Sequence, residues 1–241
     1  QPSLRWAVPV DLLINKLTDK KFTDIKRRGK YLLLECSKEF LIIHLGMSGS
    51  LRIVDNDNLK KHDHIDIVFE DKSILRYCDP RRFGCFLWTE DPSNHFLLKN
   101  LGPEPLGNKF SGKYLFEVSR KRKTPVKNFI MNSKTVVGVG NIYANEALFK
   151  AKIRPSRQAG KISSERYEKL SKEITSTLRD SIDKGGTTLK DFVGSDNKPG
   201  YFKNELMVYG RAGMACVNCL TQLKEIRLSQ RSSVYCPKCQ S

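Results

Sequence analysis

The sequence predicts an α+β protein: an antiparallel β region first, a helical region after it, and a cysteine-clipped hairpin at the end. Three observations carry this. Between residues 30 and 90, short runs rich in Leu, Ile, Val and aromatics are separated by turn or charged residues. They recur at roughly ten-residue intervals, the pattern of an antiparallel sandwich or barrel. Beyond residue 110 the apolar period changes to that of a helix. Near the C-terminus, Cys216, Cys219, Cys236 and Cys239 stand as C-x2-C-x16-C-x2-C.

The strand candidates are "KYLLLEC", "FLIIHLGMSGSLRIV", "HIDIVFE", "SILRYCD" and "GCFLWTE". The stretch "LGPEPLGNKF" carries two prolines and two glycines, which places a domain boundary there. The segment "TPVKNFIMNSKTVVGVGNIYANEALFKAKI" reads as helix, glycine-punctuated turn, helix. Further on, Tyr167, Leu170, Ile174, Leu178 and Ile182 fall on one helical face. Ser163 or Ser164 suits the start of that helix, Glu165 its first turn, and Gly185-Gly186 its end. "GSDNKPGY" reads as a polar loop, and the tail from about Leu206 as a hairpin module.

The chain has 241 residues and a net charge of +17. Such an excess of Lys and Arg favours a polyanionic partner, because neutralising phosphates releases their counterions. No apolar run is long enough for a transmembrane helix, and the first residues lack the pattern of a signal peptide. An odd cysteine count of seven without a secretion signal argues for a reducing compartment. The expected location is therefore cytoplasmic, with no membrane partner.

Two C-x-x-C turns bring four thiolates to one tetrahedral site, so Cys216, Cys219, Cys236 and Cys239 are expected to hold one structural Zn²⁺. Four thiolates close the coordination sphere and leave no catalytic position. The clip can hold "KEIRLSQRSSVYC" as a hairpin with Gln230 to Ser233 at its turn, presenting Arg231. In "HLGMSGS", Gly46 and Gly49 bracket Met47 and suggest a bend that pushes it outward. "DPRRFG" places Arg81, Arg82 and Phe83 in a turn, where an apolar wedge beside arginines suits insertion into a base stack. Core packing is the competing reading for Met47 and Phe83. The runs "DKKFTDIKRRGK" and "SRKRKTPVK" read as basic solvated faces, with Lys30 fixed at the start of a strand. "KHDH" contributes His62, for which a phosphate contact is simpler than a metal. In "VVGVGNIYANEALF", Asn141 lies where a glycine turn meets a helix start, a suitable phosphate grip.

In order along the chain come "KRRGKYLLLE", "IIHLGMSGSLR", "KHDHID", "DPRRFG", "LGPEPL", "VVGVGNIYANEALF", "GGTTLKDF", "NKPGYF", "VYGR" and the four-cysteine clip. Over essentially its whole length the chain resembles the bacterial formamidopyrimidine-DNA glycosylase family. The resemblance implies a β-sandwich domain over residues 1–104 and a helical domain with a helix-two-turn-helix motif over 105–204. A zinc hairpin over 205–241 completes it. It implies base-excision repair: a DNA glycosylase removing oxidised purines, with AP-lyase activity by β,δ-elimination. The implied partner is double-stranded DNA with oxidised bases or abasic sites, bound by a monomer associated with the bacterial nucleoid.

Residue by residue, Lys30 matches the lysine that assists β-elimination. Arg231 matches the hairpin arginine that assists δ-elimination and grips phosphate. His62, Arg81 and Arg122 fall on DNA-contacting positions, the last usually lysine. Met47, Arg81 or Arg82, and Phe83 match the residues that fill the void of the flipped base. Lys127 and Asn141 match phosphate contacts, Glu146 lies near the recognition region, and residues 194–202 match the loop over the everted base. The family's N-terminal Pro-Glu, with proline as amine nucleophile, has no counterpart in "QPSLRWAVPV". A first helix and strand of the family are expected upstream of it, and the 241 residues alone are expected to be inactive in glycosylase chemistry. A non-catalytic damaged-DNA binder on the same scaffold is the alternative.

Overall fold

The computed structural model describes residues 4–56, 58–186 and 205–241. The expected lesion-covering loop at 194–202 lies outside the described residues. The described chain falls into two compact units that part between Lys99 and Asn100, and the tail from residue 205 clusters with the helices.

The first unit opens with a helix, α1 (Val10–Leu17), beyond the elements expected from the sequence. Its signal was Val10, Leu13, Ile14 and Leu17 at helical spacing. Leu13 is buried, and Val10 and Leu17 pack on the sandwich core. Seven strands follow: β1 (Phe22–Arg28), β2 (Tyr31–Cys36), β3 (Glu39–His44), β4 (Ser50–Val54), β5 (Asp63–Val68), β6 (Ile74–Cys78) and β7 (Cys85–Thr89). They form two separate antiparallel sheets, β1-β2-β3-β7 and β4-β6-β5, which makes the architecture a sandwich. Leu34, Leu41, Ile43, Tyr77 and Phe86 fill its core. Leu41, Ile42 and Ile43 are all fully buried, so β3 reads as a continuous apolar run, not as an alternating one.

The basic run at 19–30, expected as a solvated face, is largely β1. Among the described residues it pairs only with β2 and so lies at a sheet edge. Charged side chains on an edge discourage another strand from adding there.

The second unit holds α2 (Gly112–Ser119), α3 (Val126–Met131), α4 (Asn141–Lys150) and α5 (Ser164–Asp183), then the hairpin β8 (Lys224–Leu228) and β9 (Arg231–Tyr235). Ser163 caps α5 by accepting from the Arg166 amide. Gly186 N donates to Ser181 O and Gly185 N to Ile182 O, the paired bonds of a Schellman ending, with both glycines at positive φ. Tyr167, Leu170 and Ile174 are buried as expected, but Ile182 is 62% exposed. At about 100° per residue, Ile182 has rotated away from the stripe centred on Leu170 and Ile174. Ser181 takes the buried place instead, hydrogen-bonded to the Tyr143 hydroxyl at 2.6 Å.

The hairpin does not carry a core of its own. Phe149 from α4 packs with Val208, Leu223, Val234, Cys216 and Cys236 in one cluster.

Candidate nucleic-acid interface

In the first unit, Met47 sits in the turn after β3 and is 66% exposed, and Phe83 in the turn before β7 is 44% exposed. Neither is core. The Arg81 guanidinium lies 5.0 Å from the centre of the Phe83 ring, within cation–π range. Arg82 takes a left-handed φ of 56° and its amide donates to Asp79 O at 3.2 Å, closing a tight turn. Arg81 and Arg82 are exposed, whereas His62 is half-buried with its carbonyl accepting from the Asp79 amide at 3.0 Å.

Lys30 lies one residue ahead of β2, in the two-residue turn Gly29-Lys30 that joins β1 to β2. Its side chain is exposed. It stands close enough to His44 to matter electrostatically. Burial first, then the Lys30 and Arg5 charges, lower the His44 pKa below its ordinary value. A neutral imidazole fits the bond it makes, since His44 Nδ1 accepts from the Gly46 amide at 2.9 Å.

In the second unit, Asn141 is the first residue of α4, after an extended Gly140. The first-turn amides of a helix have no intrahelical acceptor and favour an anion. Asn141 Oδ1 is buried and, among the described residues, takes no hydrogen bond. Arg122 is exposed in the loop between α2 and α3, its carbonyl accepting from Gly160 N at 2.9 Å.

Lys127, expected as a phosphate contact, is not at the surface. It is 0% exposed, and its Nζ donates to Ser232 O at 2.5 Å and Ser233 Oγ at 2.7 Å. Burial and the neighbouring Arg231 guanidinium push it down to about 8. These two bonds tie α3 to the hairpin. Asn145 adds to this by accepting from Val234 N at 2.9 Å, and Asn128 donates to Ser229 Oγ at 2.6 Å. Glu146 faces inward as well. Its carboxylate accepts from the amides of Met207, Val208 and Tyr209 at 2.8, 3.0 and 2.8 Å. These partners are roughly 60 to 110 residues away along the chain, beyond the reach of any periodicity argument.

The hairpin turn is Ser229-Gln230, both with positive φ, flanked by the Leu228↔Arg231 pair. This is the two-residue turn that matches strand twist, and Asn-Gly or Asp-Gly usually mark it. With neither pair present, the sequence places the turn at 230–233. Arg231 instead opens β9 and is exposed beside the turn.

The four clip cysteines place their Sγ atoms within 4.8 Å of one another. Three of the separations are 3.9, 3.5 and 3.4 Å. Four sulfurs at ~2.3 Å from a Zn²⁺ in a tetrahedron would stand about 3.8 Å apart, so the cluster fits such an ion. Disulfides would need sulfurs at ~2.05 Å. The Asn218 and Cys239 amides point at Cys216 and Cys236 sulfurs at 3.5 and 3.4 Å.

A β-sandwich whose turns expose Met47 and Phe83 beside arginines, followed by a helical unit carrying a cysteine-clipped arginine hairpin, suits a basic protein that meets nucleic acid. Residues 1–86 match the model of the formamidopyrimidine-DNA glycosylase N-terminal domain, and residues 101–193 that of the formamidopyrimidine-DNA glycosylase H2TH domain. The chain belongs to the formamidopyrimidine-DNA glycosylase family. The formamidopyrimidine-DNA glycosylase of Marinobacter nauticus is 56% identical over 240 residues, covering 99% of this chain and 88% of the relative. A complex of a Lactococcus lactis FPG mutant with DNA containing Fapy-dG superposes with a TM-score of 0.90 at 33% identity, over 97% of this chain and 87% of that one. MutM in complex with DNA containing carbocyclic 8-oxo-G gives 0.89 at 34% identity, over 97% and 87%.

Proposed function

We propose that this chain serves base-excision repair as a DNA glycosylase for oxidised purines in double-stranded DNA, with AP-lyase activity. Such an enzyme must extrude the damaged nucleotide and fill the space it leaves. The observation that carries the reading is the pair of exposed wedges, Met47 and Phe83, with Arg81 and Arg82 beside them in a chain of charge +17. Met47 and Phe83 enter the stack, Arg81 holds the orphaned base, and His62, Arg122 and Asn141 hold phosphates. Arg231, rigid on its hairpin, neutralises the phosphate that departs in δ-elimination, since a guanidinium binds phosphate strongly. Lys30, exposed at a sheet turn, assists β-elimination by moving a proton near the sugar.

The four cysteines hold Zn²⁺, which supplies no reaction step and fixes the hairpin that carries Arg231. Clustered thiols of this kind suit a reducing, cytoplasmic setting. Among the described residues no helix is long and apolar enough to cross a membrane.

The test is affinity and cleavage, by the 241 residues joined to an upstream segment that begins Pro-Glu, on matched duplexes with 8-oxoguanine, an abasic site or no lesion. Tight, lesion-selective binding with strand cleavage supports the reading. Selective binding without cleavage supports a damage-binding scaffold, and equal affinity for lesion-free duplex refutes both.

A further inference from the structure

The strongest feature outside the residues already assigned is a buried carboxylate, Asp79, at 0% exposure. Four donors converge on it. Ser48 Oγ donates to Oδ1 at 3.1 Å, Tyr77 OH to Oδ2 at 2.9 Å, Arg81 N to Oδ1 at 3.2 Å and Gly84 N to Oδ2 at 2.9 Å. Its main chain is equally engaged. The Asp79 amide donates to His62 O, its carbonyl accepts from Arg82 N, and His64 Nε2 lies 2.9 Å from that same carbonyl. Burial would raise the carboxyl pKa, but the bonds from Gly84, Tyr77, Ser48 and Arg81 outweigh it and hold the group below its ordinary value.

The surrounding backbone is packed just as tightly. A Cβ on Gly46 would come within 2.7 Å of Phe83 and Gly84 main chain, and one on Gly84 within 1.8 Å of the Tyr77 hydroxyl. One on Gly49 would meet Leu45 O at 2.3 Å and that same hydroxyl at 2.9 Å. The Met47 turn and the Phe83 turn therefore lie back to back, without side chains between them, on a shared polar centre.

We propose that Asp79 is a positioning residue, with Ser48 and Tyr77 as its arms, that locks the turns of Met47, His62 and Arg81–Phe83 into one preformed head. The wedges then enter DNA as a unit, not as independently mobile loops. Preformed wedges lose little conformational freedom on insertion, which favours the distorted, damage-bearing duplex over loops that must order first. The role in damage recognition rests on the glycosylase reading above; the mechanical coupling of the turns does not.

The test uses Ser48→Ala, which removes one arm at a half-buried site, with Ser48→Thr to restore the hydroxyl. Hydrogen exchange on the free protein should accelerate by about five- to tenfold, the value of one hydrogen bond. The acceleration should reach the Arg81 and Gly84 amides, which donate to the same carboxylate, as well as the Met47 turn. Acceleration confined to the Met47 turn, or none, overturns the proposal. On DNA, preference for a duplex with a tetrahydrofuran abasic analogue over lesion-free duplex should fall by a similar factor. Lesion-free affinity should stay within about twofold, because phosphate charge dominates it, and Ser48→Thr should recover the preference. Met47→Ala should then cost less in the Ser48→Ala background than in wild type, and strict additivity overturns the coupling. If the wild-type chain shows no preference for the tetrahydrofuran duplex, the glycosylase reading fails, and hydrogen exchange alone decides the role of Asp79.

Discussion

Glu146→Gln should loosen the tail that leads into the cysteine clip. The carboxylate is 1% exposed. One oxygen accepts from Val208 N and Tyr209 N, the other from Met207 N. The amide variant can keep one oxygen for Val208 and Tyr209, but those bonds lose their charge assistance, about 1 kcal/mol each. Its NH2 then faces the Met207 amide, donor against donor, at about 1–3 kcal/mol for an unsatisfied group. A neutral amide is easier to bury than a carboxylate, which returns part of this. The net expectation is about 3 kcal/mol of destabilisation, or roughly 6–12 °C in Tm for a protein of this size. Thermal melts followed by circular dichroism, with metal release read by a chromophoric chelator, measure it. A shift below about 2 °C, or a stabilised variant, would mean that the desolvation of Glu146 outweighs its three bonds, and the reasoning fails.

Three further outcomes follow from the same unit. Cys236→Ser should lose bound zinc and weaken DNA binding while the β-sandwich stays folded; metal analysis with binding by a zinc-free variant decides it. In an enzyme that carries the family's N-terminal Pro-Glu, Arg231→Ala should shift cleavage from δ- to β-elimination products or weaken binding, and unchanged products at unchanged affinity would count against the hairpin role. Lys127 titrates at about 8 in the fold against an ordinary 10.5, so between those values the unfolded chain binds the extra proton. The Lys127 contribution to stability should therefore rise with pH from about 8 towards 10.5, its burial cost being fully present below 8. A neutral amine can still donate to both Ser232 and Ser233. Subtracting the pH profile of Lys127→Met from that of wild type isolates this slope, and no difference in the window refutes it.

The sequence by itself determined what local spacing encodes. Two C-x-x-C turns set a tetrahedral cluster, and the cysteines indeed meet within 4.8 Å. The apolar runs of 30–90 became strands, and Ser163 and Gly185-Gly186 became the two ends of α5. Glycines around Met47 and Phe83 signalled exposed turns because bends need few neighbours to be specified. Tertiary structure decided whatever depends on a partner far along the chain. Lys127 reads as a surface cation in its own basic run, yet its acceptors lie 105 and 106 residues away. Asp79 reads as a turn residue, yet Ser48, 31 residues earlier, makes it a junction. Ile182 fits its helix and still faces solvent, because the choice of buried face belongs to what packs against α5. Periodicity records how a segment alternates between apolar and polar; which polar group finds a distant acceptor, and so is buried at little cost, is fixed only when the chain closes on itself.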